Sequence, residues 1–183
     1  MRHVFGCPVK ARGLAAVEMM IVTPILLLLG LGVIELSHVI LAKNITTALA
    51  REGANLASRS FSVCDQEIMD ALALSAEPLD LSQDGVIYIT VVVGDDDPYP
   101  YISEQHRWLG HGYSASSKTW GHCPSWGGDG ACVIPSTKPR LTNFPIALDP
   151  GETVHVVDVM YDYSFITRYV FDRNHVIHTR VFM

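Results

Sequence analysis

Three groups of residues in this 183-residue sequence are of types that do chemistry. They are a histidine and cysteine set, a run of three aspartates, and one glutamate inside an otherwise apolar segment. His106, His111, His122, Cys123 and Cys132 are zinc-ligand types, but a closed zinc site is built on short ligand pairs of the C-x-x-C kind, and this spacing supplies none. Asp95, Asp96 and Asp97 offer carboxylates without the alternating oxygen ligands and trailing glutamate of a calcium loop, so they read as a solvated turn before Pro98. No G-x-S-x-G or comparable nucleophile context is present. These residues point to no enzyme, no metal and no cofactor, and the glutamate is left.

That glutamate is Glu18, the single ionisable group between Leu14 and Ile34 in LAAVEMMIVTPILLLLGLGVI. A helix over these residues is about 30 Å long, enough for the hydrocarbon core of a bilayer. A charge inside such a segment costs about 3 kcal/mol by insertion scales, so its presence asks for a partner. Arg2, Lys10 and Arg12 precede the run with no acid among them. Without them, 10 basic residues face 19 acidic ones, a formal charge of −9. The positive-inside rule then keeps the N-terminus in the cytoplasm and the acidic bulk across the membrane. An acidic body also argues against nucleic acid as a partner, because phosphate binding wants a basic face. Pro24 removes one helical hydrogen bond in mid-span and is expected to kink the membrane helix there. Gly30 and Gly32 follow at a depth where small residues favour close helix contact.

Helical character continues past the apolar core, with no convincing A-x-A cleavage site of a secretory signal. Leu41, Ile45, Leu49, Leu56 and Val63 fall at spacings of four and seven, an amphipathic stripe for packing on a small domain or on neighbouring subunits. Ala42, Ala48, Ala50, Ala54 and Ala57 add helix propensity. One helix from about Leu14 to Ser60 is expected. Glu35, further along, is expected at the external interface with no special part.

The residues around Gly13 are the specific ones. KARG-LAAVEMMIVTP is a basic leader, a glycine, small or apolar residues, a glutamate, then unbroken apolar sequence with Pro24 before Ile25 and four leucines. This resembles the type IV prepilin signal, and within it the TadE/TadG-like pseudopilins of the tight-adherence (Flp) pilus system. Met19 departs from the aromatic that often follows the glutamate in that family. The resemblance implies cleavage between Gly13 and Leu14 by a prepilin peptidase at the cytoplasmic face of an inner membrane. It also implies that the new α-ammonium of Leu14 meets Glu18, within a chain or from a neighbour, during subunit assembly. Other pilins or pseudopilins, the inner-membrane assembly machinery and the lipid bilayer are the implied partners, and adhesion or surface attachment the implied purpose.

The domains expected are a leader over 1–13, the transmembrane part of the helix over 14–41, its extracytoplasmic continuation over 42–63, and a small domain over 64–183. Asp65–Leu74 reads as a short helix with acids in its first turn, ended by Pro78. Gly85–Val93, Thr153–Tyr163 and His175–Phe182 read as strands. The fold class is α+β, a long N-terminal helix packed on a small antiparallel sheet. A long irregular insert over about 94–151 contains all three tryptophans, Trp108, Trp120 and Trp126. Cys7 falls in the leader. Cys123 and Cys132 flank a glycine-rich turn in an oxidising compartment and are the candidate disulfide, although Cys64 can take either one and the sequence does not choose.

Two functional classes follow. One is a processed minor pilin or pseudopilin. The other is an unprocessed, single-pass membrane-anchored binding module whose insert recognises a ligand. Gly13 and Glu18 favour the first, because a plain tether uses neither.

Overall fold

The computed structural model describes residues 12–59, 65–165 and 175–183, with the side chains of residues 12–15 set aside. Leader residues 1–11, which include Cys7, and Val63 and Cys64 lie outside the described residues. Three helices are present, α1 (Arg12–Arg59), α2 (Asp65–Leu74) and α3 (Leu81–Asp84). Four strands follow, β1 (Gly85–Val93), β2 (Tyr101–Arg107), β3 (Thr153–Tyr163) and β4 (His175–Phe182). The chain divides into two compact units, one reaching His38 and the other beginning at Val39.

In the first unit the helix presents a bare apolar surface. Met20 is 79% exposed and Leu27 63%, and no residue of the most apolar 18-residue window, of mean hydropathy 2.3, is buried. Glu35, expected at the external interface, is buried. Pro24 lies inside α1, which continues as helix on both sides of it.

The second unit is α+β. Its sheet has the order β2-β1-β3-β4, antiparallel throughout. Strand alternation sorts the side chains into two faces. Ile87, Ile89, Val157 and Val159 meet α1 and α2, packing with Leu49, Ala50, Ala54, Ile68, Met69 and Leu72. Val86, Tyr88, Val92, Val154, Val156 and Met160 point the other way and are also buried. Two-sided burial explains why β1, GVIYITVVV, reads as a continuous apolar run with no alternation.

The apolar stripe expected on α1 is its core face only in part: Leu49 is buried in the core and Ile45 packs against it. Leu41 and Leu56 are more than two-fifths exposed, whereas Ala42, Thr46, Leu49, Ala50, Gly53, Ala54 and Ala57 are buried. Small residues win that face because they let the helix backbone approach the sheet. A Cβ on Gly53 would come within 2.7 Å of Leu72 Cδ1 and 3.3 Å of Val157 Cγ1.

The insert is less irregular than its composition indicates. It contributes β2, and it covers that strand's outer edge. Arg107 N donates to Gly130 O at 2.8 Å, Cys132 N to Gln105 O at 2.8 Å, and Ile102 N to Pro139 O at 3.0 Å. An edge that would otherwise present unpaired backbone groups is thereby closed.

Candidate functional site

Two regions carry the residues that the sequence singles out. The first is the start of α1. Gly13 and Leu14 lie in its first turn, and Glu18 stands exposed one turn further on. Residues four apart on a helix share a face, and the rise between them is about 6 Å. A group at the amine of Leu14 and the carboxylate of Glu18 therefore have the spacing of neighbours along one side of the helix. Beyond Glu18 every side chain from Met19 to Ile34 is exposed. A helix this long and apolar is able to cross a membrane.

The second region is the sheet face under the insert, and it has three zones. At one end Tyr113, Ala115 and Trp126 cover Val86, Tyr88 and Met160. At the other, Leu141, Phe144 and Leu148 cover Val92, Val154 and Val156 beside Phe182. Between them the layer is polar. Asp158, in mid-strand and buried, accepts hydrogen bonds from Ser117 Oγ at 2.6 Å and from the Thr119 backbone N–H at 3.1 Å, and pairs with His178 Nε2 at 3.1 Å. Gln105 Nε2 bridges Thr90 Oγ1 at 3.1 Å and the Trp120 carbonyl at 3.0 Å. Arg180 Nη1 reaches the Lys118 carbonyl at 3.2 Å.

Burial by itself would push the Asp158 carboxyl up, but the hydrogen bonds from His178, Ser117 and Thr119 together outweigh it and hold the group below its ordinary value. The buried carboxylate is thus a pin that fastens residues 117–120 to the sheet. Burial raises the Tyr88 hydroxyl, which donates to the Ala115 carbonyl at 2.5 Å. Burial, helped by the nearby Arg107 charge, lowers His111.

Cysteines, aspartates and one histidine singled out in the sequence have structural partners. Cys123 and Cys132 form a disulfide, with their Cα atoms 5.9 Å apart. Asp95 and Asp97 share the Arg140 guanidinium at 2.7 and 2.8 Å. His106 Nε2 lies 3.4 Å from Asp65 Oδ2, against α2. Asp158, Ser117 and Arg107 carry no sequence signal of their own. An aspartate in a valine-rich strand reads as a solvent-face residue until something covers that face.

Residues 13–55 match the family model described as TadE-like protein. The match begins at the glycine before the apolar run and covers all but the last turn of α1, so this helix is TadE-like. No curated protein and no solved structure matches the chain.

Proposed function

We propose, starting from a TadE-like segment that opens at Gly13, that this chain is a minor pilin or pseudopilin of a tight-adherence-type pilus. A prepilin peptidase cuts between Gly13 and Leu14, and the mature subunit takes part in pilus assembly from the inner membrane. The observation that carries this reading is the coincidence of the family match with a helix that is bare, apolar and interrupted by one carboxylate. In that helix the Leu14 amine released by cleavage would neutralise Glu18, on its own chain or on a neighbour. Such pairing offsets a cost of about 3 kcal/mol for the charge and fixes an axial stagger between subunits. Gly30 and Gly32 have nothing within 4 Å of a would-be Cβ, leaving that stretch of helix open to close packing by another helix. The acidic second unit then lies on the far side of the membrane, a placement that the charge asymmetry around the apolar run supports.

Two substitutions test the reading in the native host. Gly13→Val is expected to leave the leader attached and to exclude the protein from assembled pili. Glu18→Leu is expected to be matured and inserted yet fail to assemble, because maturation and pairing are separate steps. If both variants assemble as the parent does, the chain is not a pseudopilin and acts as an unprocessed membrane-anchored module.

A further inference from the structure

The chain carries a formal charge of −6, and its cavities do not share that charge equally. Acids line the groove beside α2, where Asp70, Glu77 and Asp80 meet Trp108, and they line the cleft at Asp95 and Asp97. Two adjoining cavities on the insert face are different. One, of about 290 Å³, is bounded by Arg107, Trp120, Trp126 and the serines 114, 116 and 117. The next, of about 540 Å³, is bounded by Lys118, Arg140, Arg180, Thr142 and Asn143. Trp120, Ser117 and Gly121 border both, so the two are neighbours and together make a track along this face. Among the described residues no aspartate or glutamate lines either cavity.

Arg107 lines the smaller of the two cavities. Its guanidinium lies 4.7 Å from the Trp126 ring centroid, and Tyr88 tilts against the same ring at 5.8 Å. Stacking orients the fork without neutralising it. Among the described residues it has no carboxylate within ion-pair distance, and its Nε is buried without a hydrogen-bond partner. The guanidinium also faces the Tyr88 hydroxyl, a neutral partner that leaves its charge uncompensated. The walls that hold it are built firmly, by the Cys123–Cys132 disulfide on one side and the Asp158 pin under Ser117 and Thr119 on the other.

We propose that this track binds an acidic saccharide, a uronate-bearing sugar chain. The carboxylate pairs with Arg107 through charge-assisted hydrogen bonds. The apolar face of a pyranose ring lies on Trp120, and the serine, threonine and asparagine groups along the track meet the sugar hydroxyls. Lys118 and Arg180 extend the favourable charge to the next ring. A single-stranded nucleic acid also uses aromatic platforms and cations. The sugar is favoured because Arg140 is already engaged by Asp95 and Asp97 and most polar groups of the track are neutral hydroxyls and amides, which suit sugar hydroxyls better than a row of phosphates. This site does not depend on whether the leader is cleaved.

The test uses the full-length chain in detergent micelles, titrated with a galacturonate oligosaccharide and followed by tryptophan fluorescence and calorimetry. The comparison ligands are the methyl-esterified oligosaccharide, a neutral dextran oligomer and oligo-dT. Saturable binding of the free acid, weakened by about tenfold or more on esterification, is the expected result. Arg107→Gln and Trp120→Ala are expected to weaken it to a similar degree, with Arg107→Lys failing to restore it because a lysine lacks the planar fork. The ester comparison stands even where a variant does not fold. Equal binding of acid and ester, absence of binding to either, or preference for oligo-dT would each overturn the proposal.

Discussion

Replacing Asp158 with alanine removes the acceptor that ties the insert to the sheet. The carboxylate is 1% exposed and has three partners, Ser117 Oγ at 2.6 Å, Thr119 N at 3.1 Å and His178 Nε2 at 3.1 Å. Hydrogen bonds to a charged group contribute about 1.5–3 kcal/mol each. The sum overstates the effect, because the substitution also removes the cost of burying the charge. What remains is dominated by Ser117 Oγ and His178 Nε2, which lose their acceptor, whereas Thr119 N keeps Ser117 Oγ at 3.1 Å, and the expected loss is about 3 kcal/mol. That is a large share of the 5–15 kcal/mol typical of a folded domain. Asp158→Asn keeps a neutral acceptor of the same size and is expected to lose about half as much, and Ser117→Ala about 1 kcal/mol.

The pH dependence has a definite sign. A carboxyl held below its ordinary value stabilises the fold at every pH above the unfolded value of 3.8, and that contribution is lost as pH falls through the folded value. Urea denaturation of the full chain in micelles, followed by tryptophan fluorescence, measures the loss, and hydrogen exchange over residues 114–121 locates it. An Asp158→Ala protein with an unchanged midpoint and unchanged protection of 114–121 would refute the reasoning. So would an Asp158→Asn protein whose acid sensitivity below pH 4 equals that of the parent.

Three further outcomes follow from the packing. Reducing the Cys123–Cys132 bridge, or replacing both cysteines with alanine, is expected to cost about 2–3 kcal/mol, the chain-entropy value for so short a loop, read as a shift in the urea midpoint. Gly53→Leu is expected to cost about 3 kcal/mol or more, because its side chain must displace Leu72 and Val157 from a packed core, and thermal unfolding of the full chain measures it. Leu56→Ala, on the exposed side of α1, is expected to change the stability of the isolated subunit by less than about 0.5 kcal/mol in the same assay.

The contrast between Gly53 and Leu56 shows where sequence pattern stops being a guide. A leucine stripe at spacings of four and seven marks the core face of a helix when large side chains fill the interface. Here α1 approaches the sheet closely, and the room left is that of alanine and glycine, so Leu41 and Leu56 are turned outward. The bounds of α2 and of β1, β3 and β4 were legible, because each rests on local signals: acids at a helix start, and β-branched runs between turn residues. β2 was not. YISEQHR carries charges on both faces, and it is a strand because β1 and the insert pair with it on either side. The same holds for the buried polar layer. Asp158, Ser117 and Gln105 lie far apart in sequence, and only the insert folding back over the sheet brings them together. At the N-terminus the reverse is true. Gly13, Glu18 and the apolar run are contiguous, so the TadE-like segment was readable in full from thirty residues.

The central claim is that this helix is a matured pseudopilin helix, and the mature N-terminus tests it most directly. The protein is to be extracted from the membranes of its own host, with and without the prepilin peptidase, and its N-terminal residue determined by mass spectrometry. The account predicts a chain that begins at Leu14 when the peptidase is present and retains its leader through Arg12 and Gly13 when it is absent. An intact leader in both hosts would contradict it, and would leave Glu18 without the amine that the account assigns to it.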